Sequence, residues 1–352
     1  MKINSKIIST IFVIIFIIIF SYYNFDEYKT FHQNKINIEK NKLEHSEKIE
    51  RFEVKNIKEL NDIDFYYTPN KEFLTQIVEL IENAKEEIFL EIYMLTEKRI
   101  SEALIKMHKK GINVQVILEK SPYKAFNINN KSFESLSKAW INIVWSNKNN
   151  YSLNHSKVLL IDDISIISTG NFTYSTFTKN RDFFIITSDK NINTKLKENF
   201  YYDYKWEKIN IYDNNLIFSP NDSRIQFEKL FNEANNNIKM YFQYLLDDIL
   251  VEKLIKLKND KNIEITIILP ETAKEDINTK KIEKNWIKTA FMKKITMHAK
   301  AILIDDKYLF IWSINFSQYS IDKNREVWIL IKNSEIITDF LKIFSKDFKE
   351  YF

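Results

Sequence analysis

Two stretches of the chain carry the same pattern: residues 155–162 read His-Ser-Lys-Val-Leu-Leu-Ile-Asp, and residues 298–305 read His-Ala-Lys-Ala-Ile-Leu-Ile-Asp. Histidine occurs only 5 times in 352 residues, so two histidines at matching places are hard to attribute to chance. In each copy one residue separates the His from the Lys, and an apolar run follows. That spacing predicts a β-strand with both basic side chains on one face.

The repeat continues on both sides of these stretches. The two histidines are 143 positions apart (298 − 155), and later positions recur 144 apart, namely Asn171 and Asn315, Arg181 and Arg325, and Asp182 and Glu326. Upstream, each half is predicted to run helix, strand, helix, strand. The second helix of the first half ends at Gly111, which suits a left-handed cap, and Asn262 stands at the matching place. The order predicts an α/β fold, with domains at 58–212 and 213–352.

The composition excludes several classes of site. With 2 glycines, the chain cannot build the Gly-rich phosphate loops of nucleotide-binding proteins. With no cysteine, it has no disulfide, zinc-thiolate site, iron–sulfur cluster or thiol nucleophile. Its 52 basic and 48 acidic residues give a net charge of +4, which excludes a polybasic, nucleic-acid-binding tail as the main functional feature.

The amino terminus has the pattern of a membrane anchor. Lys2 and Lys6 precede an apolar run from Ile7 to Phe20, and no small-residue cleavage site follows it. We therefore predict one uncleaved transmembrane helix at 1–23, with the catalytic body on the extracytoplasmic side. Residues 24–57, rich in Lys, Glu and Asn, are predicted to form a charged linker.

The repeated basic residues favour phosphate chemistry. If the two copies face one site, His155, Lys157, His298 and Lys300 surround a single phosphate. One histidine attacks phosphorus while the other protonates the leaving oxygen, because the two roles need opposite protonation states. The lysines stabilise charge on the non-bridging oxygens. This set requires no metal or other cofactor.

Other repeated residues are given supporting roles. The predicted phosphate-binding donors are the amides of Asn171 and Asn315 and the hydroxyls of Thr169 and Ser313. The predicted partners that orient the imidazoles are Asp182 and Glu326; alternatively, these acids pair at the surface with the neighbouring Arg181 and Arg325. Asp162 and Asp305, five residues past the lysines, are expected to face away from the site and close a turn.

The two His-x-Lys-x4-Asp stretches, with their Ser/Thr-x-Asn turns and Asn-Arg-acid segments, resemble the phospholipase D superfamily. The resemblance covers the chain from about residue 58 to its end. It implies two α-β-α sandwich domains related by a pseudo-twofold axis, with one active site between them. It also implies metal-independent phosphodiester cleavage through a phosphohistidine, with His155 as nucleophile and His298 as general acid and then base.

The sequence departs from that family at one turn. Ser168 and Trp312 stand where the family has glycine, and the bulk of Trp312 is expected to affect efficiency or substrate size. Other tryptophans, Trp140 and Trp328 among them, are predicted to lie in the core.

The predicted substrate is a phospholipid, because the anchor holds the site near a membrane. Three alternatives remain open: a nuclease of the same superfamily, a cardiolipin synthase-like phosphatidyltransferase, and a non-catalytic phosphate- or lipid-binding module. The lysine pairs at 280–281 and 293–294 are the candidate cations for a nucleic-acid groove. No obligatory protein partner is inferred.

Overall fold

The computed structural model describes residues 54–207, 211–220, 223–313 and 315–352. The predicted anchor at 1–23 and the linker up to residue 53 lie outside these residues. The last four residues of the predicted linker belong to the folded body instead, since Val54–Asn56 forms a 3-10 turn and Val54 and Ile57 are buried. Within the described residues, none of the helices has the length and apolar character needed to cross a membrane.

The first half contains eight main strands and five helices among the described residues. They are β1 (Ile63–Tyr67), α1 (Lys71–Glu82), β2 (Glu87–Ile92), α2 (Lys98–Lys109), β3 (Asn113–Leu118), α3 (Asn130–Lys138), β4 (Asn142–Trp145), β5 (Lys157–Ile161), β6 (Ile164–Ser168), α4 (Tyr174–Thr178), β7 (Asn180–Arg181), β8 (Phe183–Thr187) and α5 (Lys190–Tyr204).

The second half follows the same plan. Its described elements are β9 (Leu216–Ser219), α6 (Ser223–Asn232), β10 (Asn237–Tyr241), β11 (Leu245–Leu246), α7 (Asp248–Lys261), β12 (Glu264–Pro270), α8 (Ile277–Lys284), β13 (Lys288–Met292), β14 (Thr296–Met297), β15 (Ala301–Ile304), β16 (Tyr308–Trp312), β17 (Phe316–Ser317), α9 (Gln318–Lys323), β18 (Glu326–Ile331) and α10 (Ser334–Tyr351).

Each half builds a seven-stranded mixed sheet, and the two sheets have the same strand order. The first runs β1-β8-β6-β5-β2-β3-β4 and the second β9-β18-β16-β15-β10-β12-β13. In both sheets, helices connect the parallel strands. The strand that contains or directly follows the lysine of each His-x-Lys pair, β5 or β15, runs antiparallel to its neighbour β2 or β10. The predicted pair of α/β domains is therefore confirmed.

The two sheets share one hydrophobic core. A cluster of buried side chains includes Phe89 and Val158 of the first sheet, Tyr241 and Ala301 of the second, and Phe340 of α10. Strand β18 contacts both β5 and β6 across this core. A separate cluster lies between the first sheet and helices α1, α2 and α3. Because the inner core belongs to both domains, they pack as one compact unit.

The sequence correctly anticipates the caps but not every tryptophan. Gly111 has φ +93° and Asn262 has φ 54°, so both adopt the left-handed conformation that their positions suggested. Trp328 is fully buried, as predicted. The prediction for Trp140 is wrong: it is 86% exposed, with φ 64°, because the left-handed residue after α3 projects its side chain away from the sheet.

Asp162 and Asp305 lie at the turns that follow β5 and β15, at the strand ends remote from the histidines. The carboxylate of Asp162 accepts three backbone hydrogen bonds, from the N–H groups of residues 85, 86 and 87, at 2.8 to 3.0 Å. Asp305 binds residues 235, 236 and 237 in the same way. Each acid therefore fastens the segment that leads into the central parallel strand.

We predict that Asp162→Ala lowers the free energy of unfolding by about 1–3 kcal/mol, because three backbone N–H groups lose their charged acceptor. The turnover rate of the folded protein should stay unchanged. Urea denaturation measures the loss, and Asp163→Ala, at the exposed neighbouring position, is the matched control. Wild-type stability in the Asp162 variant would contradict this role.

Candidate active site

Each domain supplies the backbone that holds the other domain's histidine. The N–H of His155 donates to the carbonyl of Arg325 at 2.8 Å, and the N–H of Arg325 donates to the carbonyl of Leu153 at 2.9 Å. In the matching place, the N–H of His298 donates to the carbonyl of Arg181 at 3.2 Å, and β14 pairs in parallel with β7. The His segment of one repeat is thus joined to the Asn-Arg-acid segment of the other.

This exchange brings each imidazole to an acid of the opposite domain. His155 Nδ1 lies 2.8 Å from Glu326 Oε2, and His298 Nδ1 lies 2.8 Å from Asp182 Oδ1. Burial by itself would raise the pKa of both carboxyls, but the adjacent histidine and lysine outweigh it and lower both values. The ionised carboxylates can only accept, so each Nδ1 carries the proton and each Nε2 keeps its lone pair.

The histidines are held neutral. Burial lowers the pKa of His155 to about 4, with the attraction of Glu326 opposing the shift. Burial also lowers the pKa of His298. A neutral imidazole whose Nε2 is unprotonated is the form required for nucleophilic attack.

Both lysines of the repeated motif are buried in the same site. Lys157 Nζ donates to the carbonyl of His155 at 2.7 Å, and Lys300 Nζ to that of His298 at 2.5 Å. Burial lowers the pKa of Lys157 well below its usual value and that of Lys300 to about 8. Lys300 also depresses the pKa of His155, and Lys157 that of His298. The four basic groups therefore act on one another as parts of one site.

The hydroxyls predicted to bind phosphate lie behind the acids. Thr169 Oγ1 donates to Asp182 Oδ1 at 2.7 Å, and the Ser313 hydroxyl hydrogen-bonds Glu326. The expectation for Thr169 is corrected accordingly, because its proton is already given to a protein carboxylate, and Ser313 has the same role in the second domain. These hydroxyls orient the acids that orient the imidazoles.

Asn171 and Asn315 occupy equivalent turns. Their side-chain oxygens are buried and have no hydrogen-bond partner among the described residues. Donation of their amide hydrogens to phosphate stays a prediction. Gly170, one of the two glycines, precedes Asn171, and a Cβ there would lie 2.8 Å from Asp182 Cγ. This close approach was not foreseen from the sequence.

Trp312 does not obstruct the site. Its side chain is fully buried in the outer core of the second domain, where it stacks on Trp328 with ring centroids 5.2 Å apart and meets Phe227 edge-on. The expected restriction by Trp312 is therefore wrong, because the ring leaves the strand on the face opposite the shared core. Ser168, at the matching position, donates to the carbonyl of Gly170.

Comparison with known proteins assigns the family. A sequence profile described as "Cardiolipin synthase, PLD-like domain" matches residues 77–204 and 227–348. The chain belongs to the phospholipase D superfamily. Two curated relatives, both called Phospholipase D, come from Rickettsia prowazekii and Rickettsia typhi. Each is 27% identical, over 143 and 137 residues; these are 40% and 38% of this chain and 67% and 64% of the relatives.

Solved structures share the fold. Phosphatidylserine synthase from Haemophilus influenzae matches 87% of this chain and 90% of its own, with a TM-score of 0.68 and 14% identity. Polyphosphate kinase from Porphyromonas gingivalis matches 80% of this chain and 46% of its own, with a TM-score of 0.66 and 16% identity. At these identities the likeness concerns the fold alone.

Two buried ion pairs complete the junction in this phospholipase D-like chain. Arg181 forms a bidentate pair with Asp347 at 2.8 and 2.9 Å, and Arg325 with Asp203 at 2.7 and 2.8 Å. The alternative in which these arginines pair with their neighbouring acids is wrong. Sequence reasoning missed the aspartates, although their spacing of 144 positions (347 − 203) is that of the arginines.

The first domain also has a polar support that involves Asn154, whose counterpart in the second domain is apolar. Asn154, directly before His155, donates its side-chain amide to Glu91 at 2.7 Å and its backbone N–H to Glu119 at 2.8 Å. Met297 stands at the matching place in the second domain. Burial, reinforced by a nearby aspartate, raises the pKa of Glu91 to about 8. The two histidines of this superfamily member therefore have different surroundings.

Within the described residues, no three His, Asp or Glu side chains are grouped so as to hold a metal ion.

We predict that Asp203→Ala lowers the free energy of unfolding by about 3–5 kcal/mol, because it leaves the buried Arg325 guanidinium uncompensated. Activity should fall as well, since Arg325 carries the carbonyl that binds His155. Chemical denaturation measures the change. Glu102→Ala, which removes the exposed partner of Lys98, should cost less than about 1 kcal/mol. Equal effects in both variants would rule out the buried pair as a main contributor.

Glu91 should make stability depend on pH. Its pKa is raised in the folded state, so between the unfolded value and about 8 the folded protein holds a proton that the unfolded chain releases. Stability therefore falls as pH rises through that window, by up to about 1.4 kcal/mol per unit. We predict that Glu91→Gln gains stability relative to wild type at about pH 8 but little at about pH 5. Urea denaturation at both pH values, with Glu102→Gln as control, tests this; a pH-independent difference would refute it.

Proposed function

We propose that the chain is a metal-independent phosphodiesterase of the phospholipase D type, which hydrolyses or transfers the phosphatidyl groups of phospholipids. The observation that carries the proposal is the pair of cross-domain His–acid couples, His155 with Glu326 and His298 with Asp182. Each couple leaves an Nε2 without a proton, and that of His298 lies 3.3 Å from Lys300 Nζ. Two chemically matched bases in one site, flanked by two buried lysines, suit a reaction that needs a nucleophile and a proton donor for the same phosphate.

In the first step, Nε2 of His155 forms a bond to phosphorus as the bond from phosphorus to the head-group oxygen breaks. His298, protonated in the substrate complex, gives its proton to that leaving oxygen. The imidazole of His155 gains positive charge, which the carboxylate of Glu326 stabilises through Nδ1. Lys157 and Lys300 neutralise the charge that develops on the non-bridging oxygens.

In the second step, the now neutral His298 accepts a proton from water or from an acceptor alcohol. The oxygen attacks phosphorus, and the bond between phosphorus and His155 Nε2 breaks. The products are a phosphatidic acid when water attacks and a new phosphodiester when an alcohol attacks. Both histidines return to their starting protonation states, so the cycle needs no metal or other cofactor.

Two observations support a lipid rather than a nucleic acid as the substrate. Three of the four lysines considered for a nucleic-acid groove are paired with acids: Lys280 with Glu275, Lys281 with Glu252, and Lys294 with Glu350. The curated relatives are both called Phospholipase D. As part of the same proposal, residues 1–23 anchor the protein in a membrane, with the catalytic body on the extracytoplasmic side.

We predict that His155→Ala and His298→Ala each abolish turnover, and that Lys157→Ala or Lys300→Ala costs about 100- to 1000-fold in rate. The purified protein is assayed in EDTA for choline release from phosphatidylcholine vesicles, beside nicking of plasmid DNA. His108→Ala, on α2, is the histidine control and should keep the wild-type rate.

The two assays also decide between substrates. Choline release that disappears in His155→Ala supports the phospholipase activity. Nicking that disappears in that variant, with no choline release by the wild-type protein, would instead indicate that the chain is a nuclease. Undiminished turnover in either histidine variant would refute the shared site.

A further inference from the structure

The segment that follows β3, residues 120–131, exposes apolar and basic side chains together. Its exposed apolar residues are Tyr123 at 67%, Phe126 at 69% and Ile128 at 40%. Its basic residues are Lys120, Lys124 and Lys131. No acidic residue interrupts the segment, which we call the 120–131 segment.

The base of the 120–131 segment is firmly built. The N–H of Tyr123 donates to the hydroxyl of Tyr93 at 2.6 Å. Asn129 is fully buried; its oxygen accepts from the N–H of Leu95, and its amide donates to the carbonyls of Tyr93 and Glu119 at 2.7 and 2.8 Å. The aromatic tip is therefore held in the solvent by an ordered base, so its exposure is a property of the fold.

The same base lies against the active site. The ring of Tyr93 meets the imidazole of His155 edge-on, with centroids 4.4 Å apart. Burial raises the pKa of Tyr93 to about 12, and the nearby phenol of Tyr244 in the second domain adds to this shift. Tyr93 thus connects the 120–131 segment to the site.

The second domain presents aliphatic side chains at the corresponding end of its sheet. Leu246 is 55% exposed, Ile249 54% and Ile277 86%. Leu246 belongs to β11, which pairs with β17 directly after Asn315, and the amide of Asn278 donates to the backbone of β11. Exposed apolar groups therefore flank the site from both domains.

We propose that the 120–131 segment inserts into the surface of an anionic phospholipid bilayer and so presents the site to the lipid head groups. This rests on the proposed phospholipid substrate. Aromatic side chains favour the interface between water and hydrocarbon, and an anionic lipid surface attracts the lysines beside them. A single-stranded nucleic acid would use the aromatic rings for stacking, but it offers nothing to the aliphatic residues Ile128, Leu246, Ile249 and Ile277.

The absence of native cysteine allows a direct test in the full chain. Phe126→Cys is labelled with an environment-sensitive fluorophore and mixed with phosphatidylglycerol vesicles that contain a brominated quencher lipid. The control label is placed at Trp140→Cys, which is also exposed but lies before β4, at the opposite end of the sheet. We expect loss of most of the fluorescence at position 126, a smaller loss with phosphatidylcholine vesicles, and none at position 140.

No quenching at position 126, or equal quenching at both positions, would overturn the proposal. A spectral change at position 126 with single-stranded DNA, and none with vesicles, would overturn it in favour of a nucleic acid. The combined variant Lys120→Gln, Lys124→Gln and Lys131→Gln should abolish the preference for phosphatidylglycerol. Lys109→Gln with Lys110→Gln, at the far end of α2, should preserve it; equal loss in both combinations would contradict the assigned charges.

Failure of insertion and failure of catalysis can be told apart. Hydrolysis of the soluble diester bis(p-nitrophenyl) phosphate reports the site without a membrane, and His155→Ala with the label at position 126 reports insertion without turnover. Quenching without hydrolysis, in the protein with an intact active site, would refute the proposed function but still support insertion of the 120–131 segment. Hydrolysis without quenching would refute the segment alone.

Discussion

The site depends on one reciprocal interaction, the hydrogen bond from each motif histidine to an acid of the other domain. His155 needs Glu326, and His298 needs Asp182, so neither repeat contains a complete proton-transfer couple. The short backbone pairings beside these contacts fix the register of the exchange. The shared core and the two cross-domain Arg–Asp pairs hold the domains in the orientation that this register requires.

Burial shifts the pKa values of the site residues, and the charges of neighbouring groups limit those shifts. An isolated buried lysine or carboxylate would lose its charge, because a low dielectric disfavours the ionised form. The two acids remain ionised because histidine and lysine lie beside them, and the pKa of Lys300 falls only to about 8. A bound phosphodiester adds negative charge at the same place, which favours protonated lysines. The bound phosphodiester and the protonated lysines therefore stabilise each other.

The sequence predicted the fold because its signal was a duplication of rare residues. Two His-x-Lys pairs at matching positions located the repeat, and the alternation of helices and strands between them determined the α/β class. It did not predict that the acids exchange between domains, since pairing partners 171 and 116 residues apart are brought together only by tertiary structure. Asp203 and Asp347 were recoverable from their repeat spacing.

Other features required the three-dimensional surroundings. Trp312 was expected near the substrate, but strand alternation places its ring in the outer core. Trp140 follows a helical pattern and still projects into solvent, because a left-handed residue at the end of a helix reverses the direction of its side chain. The hydroxyl of Thr169 was predicted to donate to phosphate, but it donates to the Asp182 carboxylate, a partner from another segment that sequence spacing does not indicate.

The most direct test of the account is to trap the covalent intermediate. With bis(p-nitrophenyl) phosphate, the leaving nitrophenolate needs no general acid, so His298→Ala should form the intermediate but fail to activate water. We predict a burst of one nitrophenolate per enzyme molecule and, after an alkaline quench, a phosphoryl adduct on His155 by peptide mass spectrometry. Steady turnover without a burst, or an adduct on any other residue, would contradict the account.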